Sequence, residues 1–143
     1  AKIELDNTAA EVIRKALGLE GMFKDMKAAG IQGLFPKSSL LQCAPYDHII
    51  EQGDSSRDVY VVCEGTVSIA QTMGSAGASL ADLGKGEVFG EMALLHDGVR
   101  VATAVAQGPC RVYRILYEDI QAVIVSHPAL KTLFDSLAKK RSE

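Results

Sequence analysis

Along residues 6–29 apolar side chains recur at three-and-four spacing: Ala9, Val12, Ile13 and Leu17, then Met22, Phe23 and Met26. That period gathers them on one helix face. Asp6, Asn7 or Thr8 can cap the start, because a short side-chain oxygen accepts from an unpaired first-turn amide. Gly18 and Gly21 divide the region into two helices. Gly30, Gly33 and Pro36 are expected to end it, with Phe35 tucked into the core as the chain turns.

From residue 40 to 116 the pattern becomes short β-branched runs, at 40–44, 48–51, 59–63, 66–71, 78–83, 102–106 and 110–116. Credible turns separate them, among them Gly53-Asp54-Ser55-Ser56, Glu64-Gly65, residues 74–77, Gly84-Lys85-Gly86 and Gln107-Gly108-Pro109. Short strands at regular intervals predict a small antiparallel sandwich or barrel. One segment departs from the alternation. Glu91-Met92-Ala93-Leu94-Leu95 is a string of helix formers entered through Phe89-Gly90, so one helical turn is expected inside the β block. Helix returns at 117–125 with Ile120, Val123 and Ile124. Pro128 then opens a last helix carrying Leu130, Leu133, Phe134 and Leu137 on one stripe, suited either to packing on the sandwich or to covering a ligand.

The chain of 143 residues is 48% hydrophobic and 23% charged, an ordinary globular balance for one domain over residues 1–143. Its formal net charge is −3 and its basic residues are scattered until Lys139-Lys140-Arg141, which speaks against direct nucleic-acid binding. Cys43, Cys63 and Cys110 stand in apolar surroundings with no Cys-x-x-Cys pair, so they read as reduced core residues of a cytoplasmic protein. No apolar run approaches the roughly 18 residues of a membrane span. His48, His96 and His127 are too dispersed for a metal site, and Ser55-Ser56 beside Asp54 has no base nearby. No catalytic residue, metal or cofactor is therefore expected, and the chain does not read as an enzyme. Gly84, Gly86 and Gly90 are spaced one residue too far for a dinucleotide loop and lack a βαβ frame.

The distinctive chemistry lies in residues 89–104. A short helix offers unpaired N-terminal amides to an anion, and Arg100 adds a cation whose donors suit phosphate oxygens. Gly90 permits close backbone approach, and Glu91 supplies an acceptor. An acceptor and a cation flanking one helical turn suit a ligand that carries both hydroxyl and phosphate groups.

This segment resembles the phosphate-binding cassette of cyclic-nucleotide-binding domains, F-G-E-x-A-L followed by a short turn and R-x-A-T. The glycines in Gln52-Gly53-Asp54, in Tyr60-Val61-Val62-Cys63-Glu64-Gly65 and in Leu83-Gly84-Lys85-Gly86-Glu87 match as well. The resemblance covers about two thirds of the chain, residues 43–137. It implies an α+β fold: an antiparallel β-roll, a jelly-roll-like sandwich, over 39–116 with the cassette at 89–104. An N-terminal helical region over 1–38 and two C-terminal helices over 117–143 would flank it. By the same resemblance Glu91 would accept the ribose 2′-hydroxyl with help from the Gly90 backbone, and Arg100 would pair with an exocyclic phosphate oxygen. Amides of Ala93 and Val101 would complete the cradle, with Ala102 beside them in the motif, while Ile69, Leu83 and Met92 would line the base-and-sugar pocket. The implied protein is a sensor of cAMP, with cGMP possible, that signals by helix rearrangement to an effector domain or partner. The alternatives are a sensor of another anion, such as a cyclic dinucleotide, and a ligand-free interaction scaffold.

Three departures from the family pattern stand out. Tyr46 replaces a usual glycine, which implies a reshaped turn. Arg57 occupies the position of an acidic residue that braces the cassette arginine, leaving Asp58 or Asp97 for that task. Val101 follows Arg100 where cGMP-selective members often carry threonine, which favours cAMP.

Overall fold

In the computed structural model, which describes residues 1–19, 25–73, 76–91 and 99–142, every residue from Val59 to Cys63 is buried. Strand side chains alternate between faces. Such a run therefore needs cover on both sides. Val59, Val61 and Cys63 face a cluster built with the helices, while Tyr60 and Val62 face the space between two sheets.

Nine strands and four helices are described: β1 (Lys2–Ile3), α1 (Asn7–Ala16), α2 (Ala28–Leu34), β2 (Ser39–Cys43), β3 (His48–Ile50), β4 (Val59–Glu64), β5 (Val67–Met73), β6 (Ala76–Leu83), β7 (Val88–Phe89), β8 (Thr103–Ala106), β9 (Cys110–Ile115), α3 (Tyr117–Ser126) and α4 (Ala129–Ser142). One sheet runs β1-β2-β9-β4-β7 and the other β3-β8-β5-β6, all neighbours antiparallel. The expected α+β roll is present, with helices on the outer face of the five-stranded sheet.

Asp6 is the residue that caps α1, its Oδ1 accepting from the Ala9 N–H at 2.8 Å. Ala9, Ala10, Val12 and Ile13 form the buried face of that helix. Phe35 is fully buried and meets Tyr113 edge-on at 6.4 Å between ring centroids. Leu130 and Phe134 of α4 join the same cluster, so this part of the stripe packs as core rather than over the roll interior.

Several expectations are corrected. Gly30 and Gly33 do not end the helical region but lie within α2, which stops at Leu34. Gly30 fits because a Cβ there would overlap the Met26 side chain. The N-terminal region is not wholly helical, since β1 pairs Lys2 with Leu41 and Ile3 with Leu40. Strand β7 likewise carries no sequence signal, because two-residue strands are too short to show alternation. The turn at Tyr46 is a left-handed one. The residue takes φ 69°, at a cost of roughly 1–2 kcal/mol. Its N–H donates to the Ala106 carbonyl at 2.7 Å, while its side chain is exposed.

The three cysteines are free and buried, and Cys43 lies directly opposite Cys110 across β2 and β9. Among the described residues no helix is long and apolar enough to cross a membrane.

Candidate functional site

The site forms where β7 runs out. Phe89 stacks on Tyr60 at 5.0 Å and 9°, making an apolar floor that places Gly90 at one end of the roll interior. Gly90 has φ 84°, and a Cβ built there would lie 2.9 Å from the Asp58 carbonyl oxygen and 3.2 Å from Arg100 Nη1. The backbone thus turns sharply in a space that admits no side chain.

Arg100 fills that space. Its Nη1 donates to the Gly90 carbonyl at 2.8 Å, its Nη2 to the Asp58 carbonyl at 2.6 Å and its Nε to Ser56 Oγ at 3.4 Å. The residue is only 8% exposed. Burial pushes its guanidinium down from the ordinary arginine range, opposed by Tyr60, Asp58, Asp54 and Glu91. A guanidinium carries five N–H donors, of which contacts among the described residues use three, and a buried cation with further donors is a strong attractor for an anion. The Arg100 main chain is pinned too: its N–H donates to the Asp54 carbonyl at 2.6 Å, and its carbonyl accepts from the Gly53 N–H at 2.8 Å.

Glu91 is 3% exposed and electrostatically coupled to Arg100, so a buried acid and a buried base flank the same turn. Leu83 is buried, and Ile69 packs against the same inner cluster from the neighbouring strand. Their backbone partners are Val67 and Ala81 respectively, which puts both on the inner face. Val101 projects outward at 64% exposure, and Ala102 is half-buried beside it. Met92 and Ala93, with the rest of the expected helical turn and Asp97, fall outside the described residues; Glu91 is the part of that turn that is placed.

The structure therefore brings Gly90, Glu91 and Arg100 together, while Ile69 and Leu83 belong to the inner cluster that also holds Phe89, the residue before Gly90. Asp58 does brace Arg100, but through its carbonyl. Its carboxylate turns away to Arg114, where Oδ2 accepts from Nε at 2.9 Å and from Nη2 at 2.7 Å. Arg57, in the place of the usual acid, lies 4.2 Å over the Tyr117 ring. Sequence reasoning misses the Asp58 carbonyl because main-chain acceptors leave no mark in residue identity, and Ser56 because a turn serine 44 positions from Arg100 shows no partner in sequence. The turn residues of Gly53-Asp54 were the available signal.

The family described as the cyclic nucleotide-binding domain matches residues 40–127. The chain is 28% identical over 128 residues to the human potassium/sodium hyperpolarization-activated cyclic nucleotide-gated channel 4, covering 90% of this chain and 10% of the channel. It is 37% identical over 94 residues to the cyclic AMP receptor protein of Thermus thermophilus, covering 65% of this chain and 44% of that protein. Among solved structures, the catabolite activator protein of Thermus thermophilus superposes with a TM-score of 0.70 at 30% identity, over 84% of this chain and 57% of that one. The chain thus spans less than half the length of these curated relatives.

Proposed function

The chain belongs to the cyclic nucleotide-binding domain family, and from that premise we propose that it is a non-enzymatic sensor of cAMP. The observation that carries this reading is the buried Arg100 guanidinium, held by the Gly90 and Asp58 carbonyls beside the buried Glu91. In this reading the phosphate takes the remaining Arg100 donors together with backbone amides of the cassette turn, including those of Ala93 and Val101. Glu91 accepts the ribose 2′-hydroxyl. Gly90 keeps the backbone clear, and Ile69, Leu83 and Met92 receive the base and sugar. Pairing of this completeness is what a buried anion requires, because an ion removed from water without partners costs several kcal/mol. Val101 offers no hydroxyl to guanine, which supports cAMP over cGMP.

Occupancy would be read out by rearrangement of the helices on the outer sheet, in a cytoplasmic setting, through an effector domain or partner protein. A ligand shifts such an equilibrium only by its differential affinity for the two arrangements. The relatives' names include a channel and a receptor protein.

The reading is tested by calorimetry and thermal shift with cAMP, cGMP, a cyclic dinucleotide and 5′-AMP. Native-state binding at about 100 times Kd adds about 2.7 kcal/mol, which raises the melting temperature by several degrees. The expected order is cAMP first, and Arg100→Ala loses at least about 100-fold in affinity, as for a charged pair left incomplete. Undiminished cAMP binding by Arg100→Ala, or no response of the natural chain to any cyclic nucleotide, sinks the assignment.

A further inference from the structure

Asp58 touches two places at once. Its main-chain carbonyl accepts from Arg100 Nη2 at 2.6 Å, within the anion site. Its carboxylate accepts, through Oδ1, from the Tyr117 N–H at 2.8 Å, and through Oδ2 from both Arg114 donors. Tyr117 is the first residue of α3, and Leu116 before it provides no side-chain cap. Asp58 therefore supplies, from across the fold, the acceptor that a helix start needs, and its negative charge suits the positive end of the helix dipole. Arg57 adds a second tie to the same residue through the Tyr117 ring.

Resting on the cAMP reading above, we propose that Asp58 is a positioning residue that couples occupancy of the Arg100 site to the first turn of α3. An anion bound to the remaining guanidinium donors draws Arg100 toward itself and strains the Nη2 bond to the Asp58 carbonyl. Weakening that bond lets the Asp58 backbone shift as a whole, and its Cα carries the carboxylate with it. The carboxylate then cannot hold its present geometry on the Tyr117 N–H and on Arg114 together. The segment between Ser56 and Asp58 is short, and Ser56 Oγ also contacts Arg100 Nε, so little chain is available to absorb the movement. The signal passes through one residue because carbonyl and carboxylate share its Cα.

The experiment is amide hydrogen exchange of residues 117–120 in the full chain, with and without saturating cAMP, alongside calorimetry. Asp58→Asn keeps the carbonyl on Arg100 but places an NH2 where one of its present donors points. In the natural chain cAMP is expected to change exchange of these amides about fivefold or more, and in Asp58→Asn less than about twofold, each compared at a cAMP concentration that calorimetry shows to saturate that chain. A merely structural cap would raise exchange in the variant equally in both states and leave the ligand-induced ratio intact, which overturns the coupling. So does a natural chain that binds cAMP without any change at these amides. Should Asp58→Asn fail to fold, Tyr117→Pro removes the donor instead. Proline is tolerated at the first helical position, and Leu116 at φ −66°, ψ 141° suits a following proline. Retention of the full response in that variant likewise overturns the coupling. If the natural chain binds no cyclic nucleotide by calorimetry, the cAMP reading itself falls, and the coupling with it.

Discussion

The Gly90 carbonyl and the Arg100 guanidinium meet at 2.8 Å, across a turn whose φ of 84° leaves no room for a Cβ. The two residues depend on each other: the glycine conformation aims the carbonyl, and the guanidinium fills the space a side chain would take. Gly90→Ala is therefore expected to lose about 2 kcal/mol of stability from the left-handed backbone and the close Asp58 oxygen. Its cAMP affinity should fall more than about tenfold, the equivalent of about 1.4 kcal/mol. Urea unfolding and calorimetry measure the two effects separately, and unchanged affinity would show that Arg100 does not need this turn.

A second polar junction ties the β-roll to α3. Asp119, 2% exposed, accepts through Oδ2 from the Lys37 N–H at 2.9 Å and from Ser38 Oγ at 2.6 Å. Ser38 Oγ in turn accepts from the Leu116 N–H at 2.9 Å. Asp119→Ala leaves buried donors without an acceptor and should cost about 3 kcal/mol. Asp119→Asn, which keeps one oxygen for both donors, should cost less than half of that. Equal losses in denaturant midpoint for the two variants would contradict this network.

Tyr113 is fully buried, yet its hydroxyl has no hydrogen-bond partner among the described residues. Its ring is anchored by Phe35 and the core, so the hydroxyl is carried into the interior by packing. Removing an unsatisfied buried group relieves a desolvation cost. Tyr113→Phe should raise stability by up to about 1 kcal/mol, read as an upward shift in melting temperature. A loss of comparable size would reveal a partner that the hydroxyl needs.

Burial pushes the Cys63 thiol from 9.0 up to about 12. The folded chain then keeps a proton that the unfolded chain releases, so this contribution is complete below pH 9 and is lost as pH rises from 9 through about 12. Tyr60 and Tyr113, also pushed up by burial, act in the same direction at the alkaline end. Denaturant midpoints should fall above about pH 9, with one such group contributing at most about 1.4 kcal/mol per pH unit. Cys63→Ala should lose less over that range than the natural chain does, even though it starts lower. Parallel declines would remove the thiol from the account.

Much of this was legible because it depends on neighbours in sequence. Asp6 lies three residues from the Ala9 amide that it caps, and the spacing of Ala9, Val12 and Ile13 describes one helix face directly. The β-branched runs mark the longer strands for the same reason, whereas β1 and β7 exist only through pairing with strands elsewhere. The proximity of Gly90, Glu91 and Arg100 was also accessible, since one short segment holds them all.

What the residues alone determined was which chemistry is present: a glycine, an acid and an arginine within one cassette, set in a chain patterned for a roll with helices. The tertiary structure decided which atoms of that chemistry meet. Asp58 and Arg100 are 42 positions apart, and that the bracing group is a carbonyl while the carboxylate serves Arg114 and α3 follows only from how β4, β9 and the cassette converge. The physical reason is one of range. Side-chain periodicity and capping are set by geometry within a few residues, whereas the partner of a backbone carbonyl, identical in every residue type, is chosen by which distant segment arrives beside it.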